Sequence, residues 1–125
     1  MPPSAAVGAR LLTWGGADTA ADLGRPAGYD VLLGADVLYS TGAWRALAQS
    51  AVKLLSPTGV LIIASTGHDG LSAPAEVAGF RAVAEPLGLR VESVETLPWR
   101  APNGVDAQLL TARLREGSAR SGGIS

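Results

Sequence analysis

Two side chains at the end of a predicted strand can bind and orient a polar reactant: the carboxylate of Asp36 and the hydroxyl of Tyr39. They follow the apolar run 29–35, which has the composition of a parallel-sheet strand covered on both faces. Because ligands of open α/β sheets lie beyond the carboxyl ends of such strands, both residues are predicted to face a binding site. Each also has a structural interpretation, since aspartate often forms turns and tyrosine can pack in a core with its hydroxyl at the surface.

The element that follows these two residues is the clearest helix in the sequence. Its apolar side chains recur at helical spacing on one face between residues 41 and 55, and they are Trp44, Leu47, Ala48, Ala51, Val52 and Leu55. Trp44 is therefore predicted to lie in the core. A second helix is predicted at 74–87, with Gly88 at its end and with Pro86 interrupting its last turn.

The rest of the pattern predicts a sheet around these helices. The predicted strands are 9–14, 29–35, 60–64, 89–92 and 106–114, and residues 97–104 are predicted to form a loop. Alternation of strands and helices through the middle of the chain is typical of right-handed βαβ crossovers, and the closing strand pair indicates an antiparallel last strand. The predicted fold class is α/β, with a mostly parallel sheet.

Length and composition limit the classes of protein to consider. One domain is predicted over residues 1–115, followed by a disordered Gly/Ser-rich tail at 116–125. The hydrophobic fraction of 47% fits a buried core, and a net charge of −1 without a Lys/Arg cluster gives no indication of nucleic-acid binding. No apolar run reaches the about 20 residues that span a membrane, and no secretory signal is visible. The expected location is the cytoplasm or the nucleus.

Three segments together resemble a known family. They are Gly34-Ala35-Asp36-Val37-Leu38-Tyr39, Leu55-Ser56-Pro57-Thr58-Gly59 and Val60-Leu61-Ile62-Ile63-Ala64. Over residues 9–115 the chain resembles the seven-strand S-adenosylmethionine-dependent methyltransferases that modify protein lysines, the family-16 group. The resemblance implies a partial Rossmann-like, doubly wound sheet. In the family the complete sheet has the strand order 3-2-1-4-5-7-6. The chain would supply strands 3 to 7 and lack strands 1 and 2, as an N-terminally truncated member.

The resemblance also implies roles for individual residues. Asp36 and Tyr39 would orient the lysine amine of a protein substrate for methyl transfer, and Asp36 would also contact the cofactor, S-adenosylmethionine. Trp14, in Leu12-Thr13-Trp14, matches the family's Leu-Asp-Trp and would stack on the adenine, while Ala35 would line the cofactor pocket. A Trp packing at the domain surface is the other interpretation of Trp14. No metal is implied.

The elements that hold the rest of the cofactor have no counterpart in the sequence. These are the Gly-rich loop after strand 1 and the acidic residue after strand 2. The segment Gly67-His68-Asp69-Gly70 follows a strand and precedes a helix, so it could face the ligand cleft. It lacks that spacing, and the preferred interpretation is a plain turn with His68 solvated. The isolated chain is therefore expected to be inactive.

Two alternatives remain open from the sequence. In the first, the chain is a non-catalytic binding or regulatory fragment whose open sheet edge pairs with a partner strand. In the second, it is an α/β methyltransferase that acts on a small molecule, since acceptor loops vary on a shared fold.

Overall fold

A computed structural model of the chain describes residues 7–68, 70–100 and 106–116, with the backbone alone described for 98–100. The strands are β1 (Tyr29–Ala35), β2 (Leu55–Ser65), β3 (Leu89–Arg100) and β4 (Asp106–Leu114), and the helices are α1 (Trp44–Leu54) and α2 (Ala73–Ala84). Short 3-10 helices, Thr41–Ala43 and Glu85–Leu87, precede α1 and follow α2. Both predicted helices and four of the five predicted strands are therefore present.

The ends of α2 follow from its sequence. Ser72 caps the N-terminus, where its hydroxyl oxygen accepts a hydrogen bond from the backbone N–H of Ala75 at 3.2 Å. The α-helix ends at Ala84 and continues as the 3-10 helix that contains Pro86, as the proline predicts. Gly88 then reverses the chain with a φ of 119°, a left-handed conformation that favours glycine.

The sheet is mixed: β1, β2 and β3 run in the same direction, and the last strand, β4, is antiparallel to them. Its strand order is β1-β2-β4-β3. The pair β1–β2 is parallel, whereas β2–β4 and β4–β3 are antiparallel. Two βαβ crossovers are described, β1-α1-β2 and β2-α2-β3, and the antiparallel last strand is confirmed because β4 inserts between β2 and β3. This order corresponds to strands 4-5-7-6 of the order that the resemblance implies.

Two further predictions about strands were wrong in part. Residues 9–14, predicted as a strand, form no strand in the structure and end in a turn at Trp14 and Gly15. The predicted loop 97–104 begins too early, because β3 continues through Arg100 in pairing with β4. Residues 101–105 and 117–125, the rest of that loop and nearly all of the predicted tail, lie outside the described residues.

The core lies between one face of the sheet and both helices. Trp44, Ala48 and Ala51 of α1 and Val77, Phe80 and Ala84 of α2 share one buried cluster with Leu61, Ile63, Leu110 and Ala112 of the sheet. The prediction that Trp44 is a core residue is confirmed. Because the described helices cover a single face, the described residues do not form the expected doubly wound arrangement.

The other face of the sheet exposes apolar side chains at its edge. On β1, Val31 and Leu33 are 50% and 77% exposed, whereas Leu32, on the helix side, packs against the core. Within the described ranges, neither helix has the length and apolar composition needed to cross a bilayer.

The packing of α2 on α1 depends on the absence of a side chain at Gly79. A Cβ at this position would overlap Cζ3 and Cη2 of Trp44. The indole is buried, and its Nε1 donates to the carbonyl of Leu38 at 3.0 Å, so it cannot move away freely. We expect Gly79→Ala to lower the free energy of unfolding by about 1–2 kcal/mol, after subtraction of about 1 kcal/mol gained in helix propensity.

Urea unfolding followed by tryptophan fluorescence measures this change. Gly42→Ala is the matched control, because a Cβ at Gly42 meets nothing within 4 Å. Equal stability of the two variants would contradict the close packing of α2 on Trp44.

Candidate functional site

The carboxyl ends of β1 and β2 form one rim of the sheet, and Asp36 lies on it, as its sequence position predicts. The last pair of residues in register between the two strands is Ala35 and Ala64. The backbone N–H of Asp36 donates to the carbonyl of Ala64 at 2.8 Å, which extends the ladder one residue beyond β1. The Asp36 side chain is 46% exposed, so its carboxylate is accessible to a ligand.

The carboxylate of Asp36 joins the two strand ends. Its Oδ1 accepts hydrogen bonds from the backbone N–H of Thr66 at 3.0 Å and from the Thr66 hydroxyl at 2.8 Å. Asp36 has a φ of 54°, in the left-handed region that aspartate and asparagine adopt more readily than most side chains. The structural interpretation of Asp36 as a turn residue is therefore correct, and the exposed carboxylate leaves room for a functional one.

A tight turn after β2 brings His68 to the same rim. The backbone N–H and carbonyl of His68 bond to the carbonyl and N–H of Leu71 at 3.0 and 2.9 Å. Gly67 has a φ of 84°, and a Cβ there would lie 2.8 Å from backbone atoms of Leu71 and Ala73, so this position requires glycine. As a result, His68 Nε2 lies 3.9 Å from Oδ1 of Asp36.

The ring of His68 is held from behind by a buried carboxylate. Glu76, in the first turn of α2, is 1% exposed. Its Oε2 lies 3.3 Å from Nδ1 of His68, and its Oε1 accepts a hydrogen bond from the hydroxyl of Ser65 at 2.6 Å. Partners on both oxygens, together with the positive end of the α2 dipole, offset the cost of burying this charge.

Tyr39 completes the rim. Its side chain is 56% exposed, and its ring meets that of His68 edge-on, with centroids 6.2 Å apart and planes at 69°. The rim therefore presents a carboxylate, an imidazole and a phenol to solvent, above the buried pair of Ser65 and Glu76. Within the described ranges, no group of three or more His, Asp or Glu residues is arranged to hold a metal ion.

The two remaining predicted site residues lie in different places. Ala35, the last residue of β1, is exposed beside Asp36. Trp14 is half-buried in a turn whose neighbours bind α1: the N–H of Gly15 donates to Oγ of Ser50 at 2.8 Å, and Nζ of Lys53 donates to the carbonyl of Gly16 at 2.6 Å. Ser50 and Lys53 lie six to nine residues beyond Trp44, or about 9–14 Å along the helix axis. The structure thus groups Ala35, Asp36 and Tyr39 and attaches the Trp14 turn to the far half of α1.

The sequence interpretation did not assign a site role to His68 of the rim or to Glu76 beneath it. His68 was expected to be solvated, but only 31% of its side chain is exposed. A signal for Glu76 was present in the sequence, because it precedes Phe80 by four residues and so lies on the core face of α2. A carboxylate at a core position requires hydrogen-bonding partners, and these are the buried hydroxyl of Ser65 and the imidazole of His68, eight residues earlier. Asp69, between His68 and Gly70, lies outside the described residues.

Comparison with known sequences gives no match. No protein-family model matches the chain, and no curated protein is similar to it at a significant level.

Comparison with solved structures gives many matches, among them several methyltransferases. The 1,6-didemethyltoxoflavin-N1-methyltransferase of Burkholderia thailandensis, solved with S-adenosylhomocysteine, is 20% identical, with a TM-score of 0.54 over 71% of this chain and 45% of that one. The N-methyltransferase NodS of Bradyrhizobium japonicum is 19% identical, with a TM-score of 0.51 over 70% and 46%. A protein of Streptococcus thermophilus named as a candidate hemolysin is 12% identical, with a TM-score of 0.61 over 84% and 42%.

These similarities concern the fold. At 20% identity or less they show shared architecture, and the chain spans about half the length or less of each of these three proteins. The chain is therefore a small α/β domain with a four-stranded mixed sheet that matches part of the fold of S-adenosylmethionine-dependent methyltransferases.

Proposed function

We propose that the rim formed by Ala35, Asp36, Tyr39 and His68 is the acceptor side of an S-adenosylmethionine-dependent methyl-transfer site, with a protein lysine as the acceptor. The observation that carries this proposal is the half-exposed Asp36 carboxylate at the carboxyl end of an apolar strand, in a fold shared with methyltransferases. Ligands of such sheets bind at this rim.

Methyl transfer to an amine requires a neutral nitrogen in line with the methyl group. An unperturbed lysine, with a pKa of about 10.4, arrives protonated at neutral pH, so a site must favour its neutral form and orient it. The Asp36 carboxylate accepts hydrogen bonds from the amine, and the Tyr39 hydroxyl, exposed on the same rim, is a second orienting group. Positioning is the role of these two residues, because a carboxylate is too weak a base for a free lysine.

The residues beside Asp36 fit the adenosine part of the cofactor. Ala35 ends β1 without bulk and is exposed, so a flat ring can approach the backbone there. The Asp36 carboxylate, half-exposed next to it, is an acceptor for amino or hydroxyl groups. Stacking of Trp14 on the adenine stays a prediction, because the turn that contains Trp14 is bound to α1 and not to the rim. When bound, S-adenosylmethionine supplies the activated methyl group.

The class of acceptor has two candidates. The two methyltransferases described above are N-methyltransferases, and this agrees with a nitrogen acceptor for the present rim. One of them, the toxoflavin enzyme, acts on a small molecule, so a small-molecule amine is the second candidate. The lysine assignment depends on the segment 34–39, which resembles the lysine-modifying group.

Binding of S-adenosylhomocysteine to the chain tests the cofactor part of the proposal. Because the chain matches only about half of each methyltransferase, we expect affinity weaker than micromolar. Titration of the ¹⁵N-labelled chain to about 5 mM should shift the backbone amides of Ala35 to Tyr39 and the indole N–H of Trp14, with guanosine as the control ligand. Unchanged signals at the rim would contradict the cofactor site, and unchanged Trp14 alone would remove that residue from it.

A second candidate function follows from the uncovered edge of β1. The strand pairs only with β2 among the described strands, and its exposed Val31 and Leu33 form an apolar strip at this edge. Such an edge readily pairs with a strand of another chain. In this candidate the protein is a non-catalytic binding module, completed by a partner strand at β1.

Self-association tests the edge directly. Analytical ultracentrifugation at increasing concentration should show association of the wild-type chain, and Leu33→Lys should return it to the monomer because an edge lysine opposes strand pairing. Leu11→Lys is the matched control, since Leu11 is 89% exposed but lies outside the strands. A wild-type chain that remains monomeric throughout, or equal effects of the two variants, would contradict the role of the β1 edge.

A further inference from the structure

We propose, resting on the proposed function, that the acceptor is a primary amine whose nitrogen binds between Asp36 and His68, with Glu76 as the positioning residue for the imidazole. In the chain as described, the Nε2 of His68 and the nearest carboxylate oxygen of Asp36 are 3.9 Å apart. This distance is too long for a direct hydrogen bond between them. It is short enough for one nitrogen to reach both groups.

The geometry of such a bridge suits an amine. A nitrogen about 2.9 Å from both atoms would make an angle of about 85° between its two hydrogen bonds, or more if the second carboxylate oxygen accepts. Thr66 donates two hydrogen bonds to Oδ1 of Asp36, and a carboxylate has about four acceptor positions, so the positions that remain for the amine are those of Oδ2. A neutral primary amine donates one N–H to Asp36 and one to His68, and its lone pair then points away from both.

The bridge requires a proton-free Nε2, and in the proposed arrangement Glu76 supplies that condition. Oε2 of Glu76 lies 3.3 Å from Nδ1 of His68, and as a carboxylate it accepts only, which assigns the ring proton to Nδ1. The Ser65 hydroxyl donates to Oε1 and fixes the carboxylate that orients the ring. The arrangement is a carboxylate–imidazole pair in which the outer nitrogen faces the rim.

The same pair accounts for the proton released by methyl transfer. The amine lone pair forms a bond to the methyl carbon, the carbon–sulfur bond breaks, and the sulfur keeps its electron pair. The nitrogen is then a secondary ammonium with two N–H groups. One of these protons passes to Nε2 of His68 and from there to solvent, while Glu76 compensates the charge of the imidazolium.

This bridge also determines the extent of methylation. A primary amine has two N–H groups for Asp36 and His68, whereas the neutral monomethyl product has one. The site therefore favours a single methyl transfer, and a trimethylated nitrogen, with no N–H, does not bind as a bridge.

The chain contains one histidine, so its imidazole nitrogens can be observed without overlap. Long-range ¹H–¹⁵N spectra of the full chain at pH 9.5 should show a protonated Nδ1 and a proton-free Nε2. n-Butylamine should shift the Nε2 signal, and trimethyl-n-butylammonium, which has a charge but no N–H, should not. A dominant Nε2–H form, or equal shifts with both amines, would overturn the proposal.

Two substitutions separate the roles of the carboxylates. Glu76→Gln should give a mixture of the two ring tautomers and weaken n-butylamine binding at least about fivefold, and Asp36→Asn should weaken it similarly with the tautomer unchanged. Asparagine also adopts the left-handed conformation of residue 36, so the turn is retained. Glu116→Gln, at an exposed position after β4, is the matched control. Unchanged binding in both rim variants would overturn the amine site.

These measurements need no cofactor, which separates the two proposals. Binding of n-butylamine at His68 without a response to S-adenosylhomocysteine would leave an amine site and remove the methyltransferase assignment. A response to S-adenosylhomocysteine at the rim without amine contact at His68 would keep the methyltransferase assignment and remove the amine site.

Discussion

The rim of this domain depends on one side chain, because the Asp36 carboxylate holds the ends of the two parallel strands together. Its hydrogen bonds to the N–H and hydroxyl of Thr66 fix the point from which the chain turns toward His68. Its own backbone, at a φ of 54°, turns the chain toward Tyr39 and α1. A single residue thus sets the direction of both loops that border the candidate site, and its carboxylate still remains half-exposed.

A buried charge gives the rim its second constraint. Glu76 is in the core face of α2, where an isolated carboxylate would be costly, and it is stabilised by Ser65 of β2 and by His68. In many proteins, apolar residues in place of a buried ion pair give equal or greater stability, so packing alone does not require this pair. The contact between Glu76 and His68 therefore couples the position of α2 to the orientation of the imidazole. This orientation directs the outer ring nitrogen to the rim, where it can bind a ligand.

The sequence predicted most of the elements and three of the four rim residues, for identifiable reasons. Helical spacing and apolar runs are local signals, so α1, α2 and β2 were predictable, and Asp36 was placed by the end of its strand. The antiparallel direction of β4 was predicted from the closing strand pair, and its place between β2 and β3 followed only from the resemblance. The failure of residues 9–14 to pair depends on contacts between distant segments, which spacing does not contain. His68 was missed because its partners, Asp36 and Glu76, approach it only through the Gly67 turn.

The most direct test of this account concerns the hydrogen bond between Asp36 and Thr66. An amide proton bound to a carboxylate moves downfield in the NMR spectrum as that carboxyl group loses its proton. We expect the Thr66 amide proton to show this shift when Asp36 ionises, and Asp36→Asn to abolish it while the rest of the spectrum is retained. A Thr66 amide proton that does not respond to acid, or one that responds equally in the variant, would contradict the joined strand ends from which the candidate site is built.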